Sequence, residues 1–215
     1  MKKRTIFIGD IHGCFSELKE LLLKLAVRPE DDLISLGDII CKGPDSKGVL
    51  DWAIKTKNLR CIIGNHELRY LLYWKEGLLP DQKPYDLKTV LQLGNQFGRY
   101  MRFLDSLPVA ILGRGWRAVH AGFDPRYPFE GQSKWELTNI RRLADTKKPW
   151  YESYKGRELI VFGHWVRREV LQRKNAVCLD TGCVYGGKLS ALVWPENKIV
   201  SVPARRVYRY KESWL

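Results

Sequence analysis

No stretch of this 215-residue chain approaches the roughly 18 consecutive apolar residues of a membrane span. Even Leu21-Leu22-Leu23 is hemmed in by Lys19, Glu20 and Lys24, so a soluble protein with no membrane partner is expected. The basic start Met1-Lys2-Lys3-Arg4-Thr5 passes directly into Ile6-Phe7-Ile8, without the long apolar segment and cleavage site of a secretory signal, and reads as the lead into a first strand. Cysteine is scarce and odd in number. Cys14, Cys41, Cys61, Cys178 and Cys183 include no Cys-x-x-Cys pair, which argues against a disulfide framework or a zinc ribbon and fits a reducing cytoplasm. There is no low-complexity tract, no interdomain linker and no repeat beyond a β-α alternation, so a single domain over residues 1–215 is expected.

Acidic residues are also under-represented: 24 Asp and Glu face 37 Lys and Arg, a formal charge of +13. Such a field attracts polyanions, whether phosphoproteins, polyphosphorylated nucleotides or RNA, and does not choose among them. A generic solubilising surface would carry the same charge.

What is present begins with alternating short apolar runs and amphipathic stretches: Thr5 to Ile8, Phe15 to Leu25, Leu33 to Leu36, Val49 to Lys55 and Arg60 to Ile63. This predicts a β-α-β-α-β unit with parallel strands, whose carboxyl-terminal loops gather on one edge of the sheet where ligands bind. Helical spacing recurs from Glu67 to Glu76 and from Leu87 to Leu107, closed by Pro108, and predicts a helical insert over part of the sheet. Short β-rich runs follow at Val109 to Leu112, Arg117 to Val119, Leu159 to Phe162, Ala176 to Leu179, Leu189 to Val193 and Ile199 to Val202. Together they predict a second sheet packed on the first. Residues 125–156 have weak periodicity and read as a long surface loop with a short helix around Trp135 to Leu143.

All four histidines lie beside glycine or in glycine-led motifs at predicted strand ends: Gly9-Asp10-Ile11-His12-Gly13, Gly64-Asn65-His66-Glu67, His120-Ala121-Gly122 and Gly163-His164. With Gly37-Asp38, the first three glycine-led motifs begin 28 and then 27 residues apart, so each β-α unit delivers one cluster to the same edge. One Asp or His beside glycine is an ordinary turn residue. Six ligand-type residues in five ordered motifs predict a metal set of Asp10, His12, Asp38, Asn65, His120 and His164, with Asp38 bridging two divalent ions. The mixed nitrogen and oxygen donors suit Mn first, with Fe, Zn, Ni, Co or Mg as alternatives, and disfavour Ca. Two ions about 3.5–4 Å apart can bind a phosphate and activate water for in-line displacement at phosphorus. His66 is a candidate general acid, with a metal ligand or a structural histidine as its alternative roles.

On these motifs the chain resembles the calcineurin-like metallophosphoesterases of the phosphoprotein-phosphatase superfamily, over roughly residues 5 to 195. The resemblance implies an α/β fold, an αββα sandwich of two mixed β-sheets flanked by helices. It implies Asp10, His12 and Asp38 at one metal, Asp38, Asn65, His120 and His164 at the other, and His66 as general acid. The second motif departs from the family's Gly-Asp-x-x-Asp-Arg-Gly. Cys41 stands where an aspartate supports the general acid, and Lys42 where an arginine binds phosphate. Lysine neutralises phosphate as a point charge but lacks the guanidinium fork, so Arg141, which resembles the arginine of the family's Trp-Ile-Arg segment, is expected to share that role.

Lys42-Gly43-Pro44 and the run from Leu179 to Leu189 are similar to the symmetrical diadenosine tetraphosphatases and ApaH-like phosphatases. The short chain, lacking what reads as their larger C-terminal part, resembles small bacterial and phage serine/threonine phosphatases. Nucleoside polyphosphates and phosphoproteins are therefore both expected substrates, with an RNA 5'-end or cap hydrolase as a further alternative. Tyr185 is expected to meet substrate. A non-catalytic basic binding protein would have lost ligands, and none is lost. Cys14 and Cys41, near the predicted site, are read as space-filling residues and left out of the ligand set.

Overall fold

The computed structural model describes residues 4–77 and 83–210. Strands β1 (Thr5–Ile8), β2 (Asp32–Ser35) and β3 (Leu59–Cys61) run parallel, linked by α1 (Phe15–Lys24) and α2 (Ser46–Lys55). That is the expected β-α-β-α-β unit. Because side chains alternate along a strand, β1 buries both faces. Ile6 and Ile8 join a core with Leu18 and Leu21 of α1 and Val49 and Leu50 of α2. Phe7 points the other way, into a layer with Ile34, Trp116 and Val161.

The second sheet has the order β4 (Ala110–Gly113), β5 (Trp116–Val119), β6 (Leu159–Phe162), β8 (Ala176–Cys178) and β7 (Leu171–Arg173). β5, β6 and β8 run parallel to one another, whereas β4 and β7 pair antiparallel at the two edges. The expected membership of this sheet needs one correction. β9 (Lys188–Trp194) and β10 (Lys198–Pro203) return to the first sheet, β9 antiparallel to β1, giving the order β10-β9-β1-β2-β3. Local periodicity reports that a strand exists and not which partner it finds.

Helices α3 (Asn65–Glu76), α4 (Pro84–Leu93) and α5 (Phe97–Asp105) cover the outer face of the first sheet. The stretch expected to be helical from Leu87 to Leu107 is interrupted at Gly94, whose φ of +52° no ordinary helical residue adopts. Residues 125–156 are more than a surface loop. Within them α6 (Lys134–Asn139), α7 (Trp150–Ser153) and the segment between them put Leu137, Trp150 and Leu143 into a core with Ile160 and Phe162, closing the outer face of the second sheet. The layering is thus αββα, with two mixed sheets. Among the described residues no helix is long and apolar enough to cross a membrane, and all five cysteines are free and buried.

Candidate active site

The loops after β1, β2, β3, β5, β6 and β8 converge on one edge of the sandwich and line or underlie a cleft of about 230 Å³. The backbone there is contorted: His12, Asp38 and His164 have φ of +47°, +49° and +63°. Left-handed non-glycine residues cost energy and are tolerated where surrounding contacts over-determine them. Asp38 is fixed in this way. Its carbonyl accepts Ile11 N and His12 N at 3.2 and 2.7 Å, its amide donates to Glu67 Oε2 at 2.8 Å, and its Oδ1 accepts His66 N at 3.0 Å. Glu67 also accepts Gly64 N at 2.8 Å and Ile40 N at 3.2 Å, so one buried carboxylate ties the second motif to the start of α3. Only glycine fits at 163, where a Cβ would lie 2.0 Å from Asp10 Oδ1.

All six expected ligands meet here. Asp10 accepts the His164 amide at 3.1 and 3.2 Å. His12 Nε2 is 3.5 Å from Asp38 Oδ2, and His120 Nε2 is 3.6 Å from Asp38 Oδ1. Asn65 Oδ1 lies 3.0 Å from both His120 Nε2 and His164 Nδ1. Each of the three imidazoles has its other nitrogen on a carbonyl: His12 Nδ1 on Ile40 at 3.1 Å, His120 Nδ1 on Leu36 at 2.7 Å and His164 Nε2 on Asn139 at 3.2 Å. A carbonyl only accepts, so that nitrogen carries the proton and the lone pair of the other faces the cleft. His164 therefore presents Nδ1 where His12 and His120 present Nε2.

The residues fit a divalent metal pair on this observation. Lone pairs of His120 and His164 point at the Asn65 oxygen, an arrangement of acceptors that has no hydrogen bond to offer and that a cation satisfies. The electrostatics agree. Burial, then the Lys42 ammonium, push the His12 imidazole down to about 3, and burial first holds His66, His120 and His164 below the usual histidine range. His12, His120 and His164 are therefore neutral at pH 7, the form that donates a lone pair to a cation. Burial, then Asp180 and Asp38, push the Asp10 carboxyl well up, a repulsion that a bound cation relieves. Burial also works against a charged Asp38, but the facing imidazoles and Lys42 outweigh it and its carboxyl sits below the usual range. Groups His12–Asp38–His66 and Asp10–Asp38–His120 each bring ligand atoms within 4.8 Å of one another, sharing Asp38.

The remaining expected residues border the cleft. Lys42 Nζ is 3.0 Å from His12 Nε2 and 5.5 Å from the Tyr185 ring centre. Arg141, which also lines the cleft, donates to the His164 carbonyl at 3.2 Å. His66 Nε2 lies 4.0 Å from Asp38 Oδ2, while its buried Nδ1 has no hydrogen-bond partner among the described residues. Cys41 turns away, with Sγ 3.6 Å from Tyr70 Oη and 3.9 Å from Asp86 Oδ1, and burial pushes its thiol up to about 12. It is no ligand. Sequence reasoning gave no role to Asp180, Trp165 or Val166, which line the same cleft. Asp180 follows a strand, as Asp10 and Asp38 do, but lacks the preceding glycine that marks those two.

Comparison with known proteins agrees with this geometry. The chain is 32% identical to the asymmetrical bis(5'-nucleosyl)-tetraphosphatase PrpE of Anoxybacillus flavithermus, covering 94% of each chain. It is 28% identical to the symmetrical bis(5'-nucleosyl)-tetraphosphatase of Edwardsiella ictaluri, over 97% of this chain and 99% of that one. A crystal structure described as a candidate diadenosine tetraphosphatase superposes with a TM-score of 0.80 at 32% identity, covering 94% of both chains. A yeast serine/threonine phosphatase shares the fold, with a TM-score of 0.62 at 15% identity. With residues 3–200 matching the calcineurin-like phosphoesterases, the chain belongs to that family, whose members hydrolyse phosphoric esters or anhydrides at a dinuclear divalent metal centre.

Proposed function

We propose that the chain hydrolyses the phosphoanhydride bonds of bis(5'-nucleosyl) tetraphosphates. In this reading Asp10, His12 and Asp38 hold one divalent cation and Asp38, Asn65, His120 and His164 the other, manganese being the natural pair for these nitrogen and oxygen donors. The observation that carries the reading is the 32% identity to a bis(5'-nucleosyl)-tetraphosphatase across 94% of both chains. The free cysteines support a reducing cytoplasm as its compartment.

When bound, the two cations would neutralise phosphate charge and lower the pKa of an attacking water. The chain's own groups do the rest. Lys42 offers a point charge and Arg141 a planar fork, and both line the cleft that a polyphosphate would enter. The Tyr185 ring beside Lys42 offers a face on which a base can stack. His66 is the proton donor to the leaving oxygen, its Nε2 directed towards the Asp38 side of the cleft. Its Nδ1 lacks the carboxylate that the family's aspartate would supply at position 41. A general acid without that support suits a nucleotide phosphate, which leaves with little help because its own pKa is near 6, better than the alkoxide of a phosphoserine. This favours anhydrides over phosphoproteins.

Metal-reconstituted protein should be assayed side by side on diadenosine tetraphosphate, a phosphothreonine peptide, capped RNA and p-nitrophenyl phosphate. The expected result is fastest turnover of the tetraphosphate, with ADP alone marking symmetrical cleavage and ATP plus AMP asymmetrical cleavage. Faster turnover of the peptide or the RNA would replace this substrate class with that one.

A further inference from the structure

Beneath the cleft lies a second group of ligating side chains that phosphoester hydrolysis does not use. Cys14 caps the start of α1, Glu17 lies in its first turn, and Cys183 follows Asp180 in the loop after β8. The two Sγ atoms and a Glu17 carboxylate oxygen lie within 4.8 Å of one another. Cys14 and Glu17 are 0% exposed and Cys183 is 1% exposed.

Glu17 is the unusual member. Its Oε1 accepts Arg205 N at 3.0 Å and Tyr208 Oη at 2.7 Å, from the segment after β10. Its Oε2, on the same fully buried carboxylate, has no hydrogen-bond partner among the described residues. The Arg205 guanidinium does not answer it, being turned outward to Glu20 at 3.9 Å. A buried carboxylate oxygen without a partner is costly unless a cation or a donor meets it.

We propose that Cys14, Glu17 and Cys183 bind a single thiophilic divalent cation, with zinc as the natural occupant, at a site separate from the dinuclear centre. Two thiolates and a carboxylate are zinc donors, whereas Mn and Mg prefer oxygen and imidazole, so the two sites select different ions. With Zn–S near 2.3 Å and Zn–O near 2.1 Å, tetrahedral donors stand about 3.6–3.8 Å apart, a contraction of the trio by about 1 Å at most from its upper bound. Three protein donors leave one position to water. On binding, both thiol protons leave to solvent, and the two thiolates with the Glu17 carboxylate give the site one net negative charge. The ion would fasten together the turn that follows His12, the first turn of α1 and the 183–187 turn. Onto that turn the closing segment is already hydrogen-bonded, through Ala204 N to Gly187 O at 2.8 Å and Tyr208 N to Val184 O at 3.1 Å.

The test uses the full chain, reduced, anaerobic and stripped of metal, and titrated with cadmium, whose bond to thiolate gives an ultraviolet charge-transfer band. The band should saturate at one equivalent, vanish in Cys14→Ser/Cys183→Ser and persist in Cys61→Ser. Should the double variant fail to fold, Glu17→Gln keeps both thiols and the local volume, and is expected to weaken cadmium binding about tenfold or more while retaining the band. No band in the intact chain, a band that survives the double replacement, or unchanged affinity in Glu17→Gln would overturn the assignment. So would a metal-free native mass two hydrogens short together with a peptide map that joins Cys14 to Cys183, which marks a disulfide there instead.

Discussion

The chemistry at the residue scale turns on which nitrogen of each histidine is free. Carbonyls at Ile40, Leu36 and Asn139 fix the protonated nitrogens of His12, His120 and His164, so second contacts from the backbone aim the lone pairs before any ligand arrives. His66 has no such partner on Nδ1. If it acts as general acid, His66→Asn should retain the metals and lose about 10²–10³-fold in kcat on a phosphothreonine peptide, where the alkoxide needs protonation, and far less on p-nitrophenyl phosphate. Equal losses on both substrates, measured at saturating Mn, would remove it from that role. The six proposed ligands were legible in sequence because glycine-flanked Asp, Asn and His recur at strand ends. Asp180 was not assigned, because the backbone signal of one acidic residue in a turn is the same whether it faces a cleft or caps a loop. Nor could sequence reveal that Cys14 and Cys183 meet, since their approach depends on β9 returning beside β1.

Among the elements, the parallel β-α-β-α-β unit was readable because apolar runs and amphipathic helices alternate locally, whereas the sheet joined by β9 was not, because β9 pairs with β1 across more than 180 residues of chain and carries its hairpin partner β10 with it. β7 was missed altogether. It is three residues long and only Leu171 of Leu171-Gln172-Arg173 is apolar, so it has no period to detect. The start of β1 is held by a side-chain clamp. Arg4 Nε donates to Asp31 Oδ1 at 2.9 Å, Arg4 Nη2 contacts Asp31 Oδ2, and Arg28 N adds a bond at 2.8 Å. The hydrogen bond from Arg4 holds the Asp31 carboxyl below its usual range against the opposing effect of burial. Because the folded-state pKa is the lower one, this contribution is complete above the unfolded value near 3.9 and is lost as pH falls through the folded value. Asp31→Asn should therefore cost on the order of 1–2 kcal/mol at pH 7 and progressively less below pH 4, read from urea midpoints. A cost that does not change with pH would show that the clamp acts through packing alone.

Over the whole molecule, the sandwich brings the carboxyl-terminal loops of both sheets to one edge, and a chain with a formal charge of +13 surrounds that edge with a field suited to polyanions. For a tetraphosphate substrate kcat/KM should fall steeply between about 50 and 200 mM salt, and much less for p-nitrophenyl phosphate, which carries fewer charges. Matching salt slopes would mean that the basic surface serves solubility only. Whether a metal pair carries the hydrolysis is read from turnover of diadenosine tetraphosphate by metal-stripped chain as Mn is added, for the native sequence and for Asp38→Asn. The native chain should show no turnover before addition and activity that rises with the filling of two sites, and Asp38→Asn neither metal binding nor turnover of that kind. Full activity of the stripped chain, or an Asp38→Asn variant as active as the native one, would contradict hydrolysis by a metal pair.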